Sequence, residues 1–268
     1  MTKVRVFVLT TLAMIAFAGN SLLCRQALKR TAIDAATFTL VRILSGAVCL
    51  RVIVLMRKGS FAKAGSWLSA LALFGYAAFF SFAYLRLTAA TGALLLFGAV
   101  QATMIFWGLR TGERLRPRQI AGLLAAIGGL VALLLPGLSA PPLEAATLML
   151  FAGVAWGIYS LRGKSAGDPL SATAGNFLRA VPLALGLSAL AFRWANFDRV
   201  GIGYAIWYTA LPRLKAMGAA TVQLSVPVLA AGGGILLLGE TITLRFALAS
   251  VAVLGGIALV IVERRAAR

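Results

Sequence analysis

The chain has 268 residues, of which 61% are hydrophobic and only 12% are charged, and its mean hydropathy is +0.94. This composition excludes a soluble globular protein, whose surface would need many more polar residues. The formal net charge of +19 comes from Lys and Arg residues that stand in small groups between apolar runs. That distribution is typical of membrane-protein loops and argues against nucleic-acid binding.

Apolar runs of about 20 residues recur along the whole chain, and each is long enough to cross a bilayer. We therefore predict ten transmembrane spans and an all-α integral membrane fold. The first five spans cover residues 4–24, 35–56, 67–87, 88–110 and 117–136. The second five cover residues 145–161, 169–192, 200–211, 216–238 and 241–262.

The first span also resembles a cleavable signal peptide, because Lys3 and Arg5 precede an apolar run that ends in small residues. The second half of the chain contains a counterpart of this segment, however. In both halves a glycine, an arginine and an aspartate placed to cap the next helix follow in the same order: Gly19, Arg25 and Asp34, then Gly157, Arg162 and Asp168. We therefore expect the first span to be retained.

A Gly-Glu pair followed by a Gly-Gly pair occurs twice. The Gly-Glu pairs end at Glu113 and Glu240, and 14 residues separate each of them from Gly128-Gly129 and Gly255-Gly256. Internal repeats of hydrophobic helices are typical of secondary transporters. We predict a single membrane domain built from two repeats, residues 1–137 with spans one to five and residues 138–268 with spans six to ten.

The basic residues predict how these repeats lie in the membrane. Of the 26 Lys and Arg residues, 16 fall on one side of the predicted membrane, 7 on the other and 3 within spans. The positive-inside rule then places both termini in the cytoplasm. Because five is an odd number, the second repeat enters the membrane upside down, and Glu113 and Glu240 lie on opposite sides. Such inverted repeats surround a central site that can open to either side.

Span eight is shorter than its counterpart in the first repeat. Gly19 and Glu113 are 94 positions apart, whereas Gly157 and Glu240 are 83 apart, so about 11 residues are lacking near residues 194–200. Either the helix is short and tilted, or residues are absent from the sequence at this point. We favour the second explanation.

Charged residues within or beside the spans are candidates for ion coupling and substrate binding. All seven acidic residues fall at span ends or in loops, so no residue is an obvious site of ion coupling. We predict that Glu113 and Glu240 each cap the first turn of the following helix. Arg42 and Arg179 occupy matching positions in the second span of each repeat. The functional interpretation is that they contact a carboxylate or phosphate of a substrate. The structural interpretation is that they extend towards the interface or bond to helix-end carbonyls.

Aromatic and amide residues in both repeats predict a small-molecule pocket. A mainly apolar cavity with a few hydrogen-bonding groups is the usual composition of such a site. The candidate substrate-binding residues are Asn20, Tyr76, Phe80, Tyr84, Gln101, Trp156, Tyr159, Tyr204, Trp207, Tyr208 and Gln223. The alternative is that these residues only pack or form interfacial aromatic belts. Pro227 is expected to kink span nine and assist gating.

These features resemble the drug/metabolite transporter superfamily of the EamA type, and more narrowly the YddG-like amino acid exporters. The resemblance rests on the two five-span halves, the paired Gly-Glu and Gly-Gly motifs, Trp156-Gly157 on span six and Tyr208-Thr-Ala-Leu before span nine. It implies a ten-helix basket whose central cavity is formed by spans one, three, four, six, eight and nine, with spans five and ten peripheral. Span eight departs from this pattern by its length. The segment Phe17-Ala18-Gly19 departs from it by lacking a tryptophan.

The expected function is a secondary transporter that exports aromatic or other neutral amino acids and related metabolites by alternating access. Its expected partners are a small-molecule substrate and the lipid bilayer of the bacterial inner membrane, and a monomer is compatible with this arrangement. An alternative is an exchanger of organic anions or phosphorylated metabolites that uses Arg42 and Arg179. A passive channel is another possibility. An intramembrane enzyme is disfavoured, since the chain contains no histidine and no buried acid pair is predicted, and no cofactor or metal is expected.

Overall fold

The computed structural model describes residues 3–57, 64–135, 137, 140–163, 168–191 and 225–266. Within these ranges the regular structure is helical. The nine helices are α1 (Lys3–Arg30), α2 (Ala35–Met56), α3 (Trp67–Ala83), α4 (Ala89–Arg110), α5 (Pro117–Leu134), α6 (Leu143–Gly163), α7 (Pro169–Leu190), α8 (Ser225–Leu238) and α9 (Leu244–Ala266). Helices α1 to α7 correspond to predicted spans one to seven, and α8 and α9 to spans nine and ten. Span eight and the short segment near residues 194–200 lie outside the described residues, so the count of ten spans stays a prediction.

The aspartates predicted to open the second helix of each repeat do so. Asp34 accepts hydrogen bonds from the backbone N–H groups of Ala36 and Thr37, both at 2.9 Å, and caps α2. Asp168 accepts from the N–H of Leu170 at 3.1 Å and caps α7, where Pro169 occupies the first helical position. These bonds satisfy N–H groups that have no partner within the helix.

Replacing Asp34 with alanine is expected to lower the free energy of unfolding by about 1 kcal/mol, the usual cost of losing an N-cap side chain. Thermal unfolding of the purified protein in detergent would measure the change. Asp34→Asn is the matched control and should retain most of the stability, because asparagine is an equally good N-cap residue. Equal losses in the two variants would show that the charge of Asp34, rather than its cap, supports the fold.

Four of the described helices, α2, α4, α5 and α6, are long and apolar enough to cross a membrane. Shorter apolar stretches occur in α3, α8 and α9. On α2, the side chains of Leu44, Val48, Val52 and Leu55 are exposed and follow one another at helical spacing. A continuous apolar stripe on the outer surface is stable only against an apolar solvent, so this face of α2 lies against lipid.

Helix α4 lies at the centre of the bundle, and every residue from 92 to 101 is buried. It packs against α6 and α8 and also contacts α1. Helix α3 packs against α6 and α7, α2 packs against α7, and α1 packs against α8. Helix α5 packs mainly on α9, so this pair lies at the side of the bundle. Most of these contacts join the first five helices to the last four, so the two halves of the chain share one core.

Polar contacts define the two ends of the bundle. At the end that we call the Ser66 end, Arg162 at the end of α6 donates to the hydroxyl of Ser66 at the start of α3. At the opposite end, called the Glu240 end, the last part of α1, the α3–α4 turn and the α8–α9 turn meet through Glu240. Helix α6 begins at the Glu240 end, where Glu144 pairs with Arg86. Helices α1 and α6 therefore run in opposite directions.

The Gly-Gly pairs of the two repeats form the contact between α5 and α9. A Cβ atom at Gly256 would collide with the carbonyl oxygen of Gly122 on α5, and a Cβ atom at Gly129 would lie 2.8 Å from that of Ala252. The first glycine of each pair is different, because a Cβ atom at Gly128 or Gly255 would meet nothing within 4 Å. Only the second glycine of each pair is therefore needed for close helix approach.

Candidate functional site

Aromatic side chains from four helices meet in the core. We call the aromatic cluster the rings of Phe17, Tyr76, Phe80, Phe97, Trp156 and Tyr159. Trp156 has three ring neighbours, with centroids 4.7 Å from Tyr76, 5.5 Å from Tyr159 and 6.1 Å from Phe17. These are the separations at which aromatic pairs attract one another beyond simple burial.

Helical spacing brings several predicted site residues into this cluster. Tyr76 and Phe80 lie one turn apart on α3, and their ring centroids are 5.2 Å apart. Trp156 and Tyr159 share one face of α6. Tyr84 is buried and its ring lies 4.7 Å from Phe80, but it packs closely on Gly92 of α4 and its hydroxyl donates to the carbonyl oxygen of Ala89 at 3.3 Å. Tyr84 thus ties α3 to α4 beside the aromatic cluster.

The sequence pattern had not indicated Phe17 and Phe97. Phe17 lies in the segment that lacks the expected tryptophan, and its ring packs against both Trp156 and Phe97. Ala18 occupies the position of Trp156 in the first repeat. The aromatic residue beside it, Phe17, was the signal that could have indicated this part of the site. Gln101, which had been predicted, is buried one helical turn beyond Phe97 on α4.

Asn20 is a second buried amide of the site, besides Gln101. Its Nδ2 donates to the hydroxyl of Tyr76 at 2.9 Å, whereas its Oδ1 has no hydrogen-bond partner among the described residues. A buried amide oxygen without a donor costs free energy, so the position suits a ligand that brings an N–H or O–H group.

Arg42 is only 4% exposed, so its side chain lies within the bundle. Its Nη1 donates to the hydroxyl of Ser81 at 3.2 Å. Its guanidinium carbon lies 5.2 Å from the ring centre of Phe80, 5.7 Å from that of Phe38 and 6.0 Å from that of Tyr76. Aromatic faces stabilise a desolvated cation at these distances.

Arg179, at the matching position of the second repeat, has different surroundings. Its Nη1 donates to the carbonyl oxygens of Ala64, at 2.6 Å, and of Gly175, at 3.0 Å. These contacts fix the segment before α3 against α7. The two arginines therefore share a sequence position but not an environment.

Glu240 corrects one prediction. It was expected to cap the first turn of the following helix, but Thr243 caps α9 by accepting from the N–H of Phe246 at 3.1 Å. The carboxylate of Glu240 instead accepts from the N–H of Ala89, at 3.1 and 2.9 Å. Ala89 is the first residue of α4, whose N-cap residue is Thr88. The Oε1 of Glu240 also lies 3.6 Å from Nε of Arg25. The carboxylate is better stabilised here than it would be at the start of α9, because it lies beside both the first turn of α4 and the guanidinium of Arg25.

Arg25 completes the Glu240 end. Its Nη1 donates to the carbonyl oxygens of Tyr84 and Leu85 at 2.8 and 3.1 Å, where α3 ends. A cavity of about 250 Å³ borders Glu240 at this end of the bundle. Its lining includes Arg86, Thr88, Thr91, Ile235, Thr241 and Phe246.

Several predicted residues cannot be placed. Tyr204, Trp207, Tyr208 and Gln223 lie outside the described residues, and their part in the site stays a prediction. Glu113 is exposed beyond the end of α4, and the N-cap position of α5 is occupied by Arg116, not by Glu113. Pro227 is buried in the first turn of the described part of α8, and the stretch of span nine before Ser225 lies outside the described residues.

The arrangement is suited to binding a small molecule rather than to making or breaking covalent bonds. The aromatic cluster can hold an apolar or aromatic group, and the Oδ1 of Asn20 can accept a hydrogen bond from a ligand. Within the described ranges, no group of three or more Cys, Asp, Glu or His side chains could hold a metal ion.

Comparison with known proteins gives a family match in both halves of the chain. The profile of the EamA-like transporter family matches residues 5–135 and again residues 143–262. An uncharacterized transporter of Archaeoglobus fulgidus is 30% identical over 164 residues, which cover 58% of this chain and 56% of that protein. A solved crystal structure of a protein with 20% identity covers 95% of this chain and 99% of its own, with a TM-score of 0.58. At that identity the likeness concerns the fold alone.

An uncharacterized protein of Pseudomonas aeruginosa is 54% identical to the chain, and the alignment covers 98% of each protein. The alignment extends over 280 positions, which is more than the 268 residues of the chain. The relative therefore has residues without a counterpart here. The location of the lacking residues, near residues 194–200, stays a prediction.

Proposed function

Because this chain belongs to the EamA-like transporter family, whose members carry small molecules across membranes, we propose that it exports neutral amino acids by alternating access. Aromatic amino acids and related small metabolites are the proposed substrates. The family match and the transporter relative point to a multi-pass membrane transporter rather than an enzyme. The observation that carries the substrate proposal is the aromatic cluster, which lies beside the buried side chains of Asn20 and Arg42.

An inverted arrangement of the repeats supports alternating access. Helix α1 ends at the Glu240 end of the bundle, and α6, its counterpart in the second repeat, begins there. We propose that residues 1–137 and 138–268 form two repeats of five spans each, related by inversion. Two such halves can exchange their conformations about a shared centre, which opens the site first to one side and then to the other.

The Glu240 end is the proposed closed side of the described conformation. The side chains of Arg25 and Glu240 are only 11% and 6% exposed, and they join α1, the α3–α4 turn and the α8–α9 turn. Opening this side requires the contact to separate. By the positive-inside rule, we propose that the opposite, Ser66 end faces the cytoplasm with both termini and that the membrane is the bacterial inner membrane. A monomer would suffice, because both repeats belong to one chain.

The exchange of organic anions or phosphorylated metabolites is less well supported. That function was expected to use Arg42 and Arg179 together. The side chain of Arg179, however, donates to two backbone carbonyl oxygens beside the Ser66 end. Arg42 lies in the aromatic environment of the site, so the two arginines have different partners and do not form one anion site.

Transport by purified protein in liposomes would test the proposal. Liposomes loaded with unlabelled phenylalanine are expected to accumulate labelled phenylalanine by counterflow, and the initial rate should saturate with concentration. Empty liposomes provide the background rate. Movement of organic anions without movement of neutral amino acids would contradict the proposal, whereas a rate that rises linearly without saturation would indicate a passive channel.

Replacing Trp156 with leucine is expected to raise the KM for phenylalanine by about 10-fold or more, because Trp156 has three ring neighbours in the aromatic cluster. Phe151→Leu is a matched control, since Phe151 also lies on α6 and pairs with Phe79 on α3, at 5.8 Å, but is 54% exposed on the outer surface. Its KM should stay within about twofold of the wild-type value, since its ring contributes a single exposed contact. Initial rates of counterflow would measure both values. Equal effects of the two changes would place the substrate away from the aromatic cluster.

A further inference from the structure

We propose that the connection between α4 and α5 binds the headgroup of an anionic phospholipid, whose acyl chains lie along the outer face of α5. We call residues 110–118 the basic turn. This segment contains four arginines and one glutamate, which give it a net formal charge of +3. The lipid site lies on the outer surface of the bundle, so it does not depend on which solute the protein carries.

The basic turn presents its charges from a backbone of defined shape. Gly112 has a φ of +93°, a conformation that glycine adopts without strain. The N–H of Glu113 donates to the carbonyl oxygen of Gly108 at 2.9 Å and closes the end of α4. A guanidinium has a planar fork of N–H donors that matches the oxygens of a phosphate group. All four of these side chains are exposed: Arg110, Arg114, Arg116 and Arg118.

Two of these arginines stand where a positive charge does not help the fold. Arg116 is the N-cap residue of α5, and Arg118 lies in its first turn, which contains no acidic residue. The N-terminus of a helix is the positive end of its dipole, so cations there are unfavourable and anions are favourable. A guanidinium also has no acceptor with which to cap the N–H groups. An external anion therefore explains the charges of Arg116 and Arg118 better than the stability of α5 does.

Apolar side chains adjoin the basic turn on the outer surface. On the last turn of α4, the ring of Trp107 is 54% exposed, and such rings are typical of the boundary between hydrocarbon and headgroups. Four exposed side chains follow one another at helical spacing along α5: Ile120, Leu124, Ile127 and Val131. This stripe begins one helical turn after the N-cap residue of α5. A phospholipid has the same order of groups, with its phosphate first and its acyl chains beyond.

Charge and shape together favour a lipid over other occupants of this surface. A free phosphate would contact the arginines but would leave the apolar stripe of α5 uncovered. A second copy of the chain, packed on α5 about an axis along the membrane normal, would bring two basic turns together, and like charges repel. An anionic phospholipid matches both the cations and the stripe. Basic segments beside membrane helices attract such lipids through their charge.

Brominated lipids test the site on the purified wild-type protein, because bromine on an acyl chain quenches tryptophan fluorescence at short range. In neutral detergent, brominated phosphatidylglycerol is expected to quench at a concentration at least 10-fold lower than brominated phosphatidylcholine does. Trp107→Phe should lose most of this difference, since it removes the tryptophan beside the basic turn. Equal quenching by the two lipids, or an undiminished difference in Trp107→Phe, would overturn the inference.

A double variant assigns the lipid preference to the basic turn. Arg116→Gln combined with Arg118→Gln is expected to raise the phosphatidylglycerol concentration for half-maximal quenching by about 30-fold, since each basic residue near a lipid surface contributes about fivefold. Lys29→Gln combined with Arg30→Gln is the matched control. It also removes two exposed charges, from the last turn of α1 at the Glu240 end, and should change the value by less than about twofold. Equal effects of the two double variants would overturn the inference, because only the net charge would then matter.

Melting temperatures separate lipid binding from loss of folding. Without anionic lipid, the Arg116 and Arg118 double variant should melt at or above the wild-type temperature, because two unfavourable charges leave the N-terminus of α5. Phosphatidylglycerol should stabilise the wild type and the Lys29 and Arg30 control, but this double variant much less. A double variant that melts well below the wild type without lipid would assign the two arginines to the fold and contradict the inference. Equal stabilisation of the wild type by glycerol 1-phosphate would also contradict it, since a free phosphate would then suffice.

Discussion

Replacing Glu240 with alanine is expected to lower the free energy of unfolding by about 3–5 kcal/mol, the usual cost of removing one partner from a buried ion pair. The change would leave Arg25 buried at 9% exposure without its carboxylate, and the N–H of Ala89 without its acceptor. Glu240→Gln should cost less, because an amide oxygen can still accept from the N–H of Ala89. Thermal or denaturant unfolding in detergent, followed by tryptophan fluorescence, would measure both losses.

The second ion pair provides the control for Glu240. Arg86 and Glu144 lie at the same end of the bundle, with nitrogen and oxygen 3.3 Å apart, but their side chains are 64% and 77% exposed. Exposed pairs contribute little, so Glu144→Ala should change the free energy of unfolding by less than about 1 kcal/mol. Similar losses in the free energy of unfolding at Glu144 and Glu240 would show that burial of the Arg25–Glu240 pair does not increase its contribution to stability.

Replacing Gly256 with leucine is expected to separate α5 from α9 and to remove most of the folded protein from detergent extracts. Even a Cβ atom at this position would collide with the backbone of Gly122, and a backbone atom cannot move aside as a side chain can. Overpacking usually costs about 1–3 kcal/mol, and a backbone collision belongs at the upper end of that range or beyond it. Size-exclusion profiles and melting temperatures would show the loss.

Gly255 is the matched control, since it precedes Gly256 on the same helix and a Cβ atom there would meet nothing within 4 Å. Gly255→Leu should retain a monodisperse profile and a melting temperature close to that of the wild type. The same contrast should hold in the first repeat, where Gly129→Leu is expected to be damaging and Gly128→Leu tolerated. An equal loss at both glycines of a pair would assign the effect to helix propensity and not to helix contact.

Local sequence signals predicted the helices well, because hydrophobic runs and cap residues act over a few neighbouring positions. The span predicted for residues 35–56 coincides with α2, and Asp34 caps it as expected. The partner of Glu240 could not be predicted in this way. That partner depends on which helix lies alongside, and the N–H of Ala89 is 151 positions away in the sequence.

The candidate site was predictable in part for the same reason. The stripe of Tyr76 and Phe80 follows from helical spacing, which also places Trp156 and Tyr159 on one face. The difference between Arg42 and Arg179 could not be predicted, because their positions within the repeats are equivalent. Their environments are set by residues from other segments, a hydroxyl and aromatic rings for Arg42 and the carbonyl oxygen of Ala64 for Arg179.

The contact between Glu240 and the first residue of α4 also has a consequence for the biogenesis of the protein. The helix is made early, yet the carboxylate that satisfies its first turn is encoded 151 residues later. At a synthesis rate of about 5–20 residues per second, α4 waits roughly 8–30 s in the membrane before this acceptor emerges from the ribosome. Helices α6 and α8, which cover α4, also arrive only in that interval. The first half therefore cannot reach its final packing during its own synthesis, and a nascent chain truncated before Glu240 would expose an unfinished core to membrane quality-control proteases.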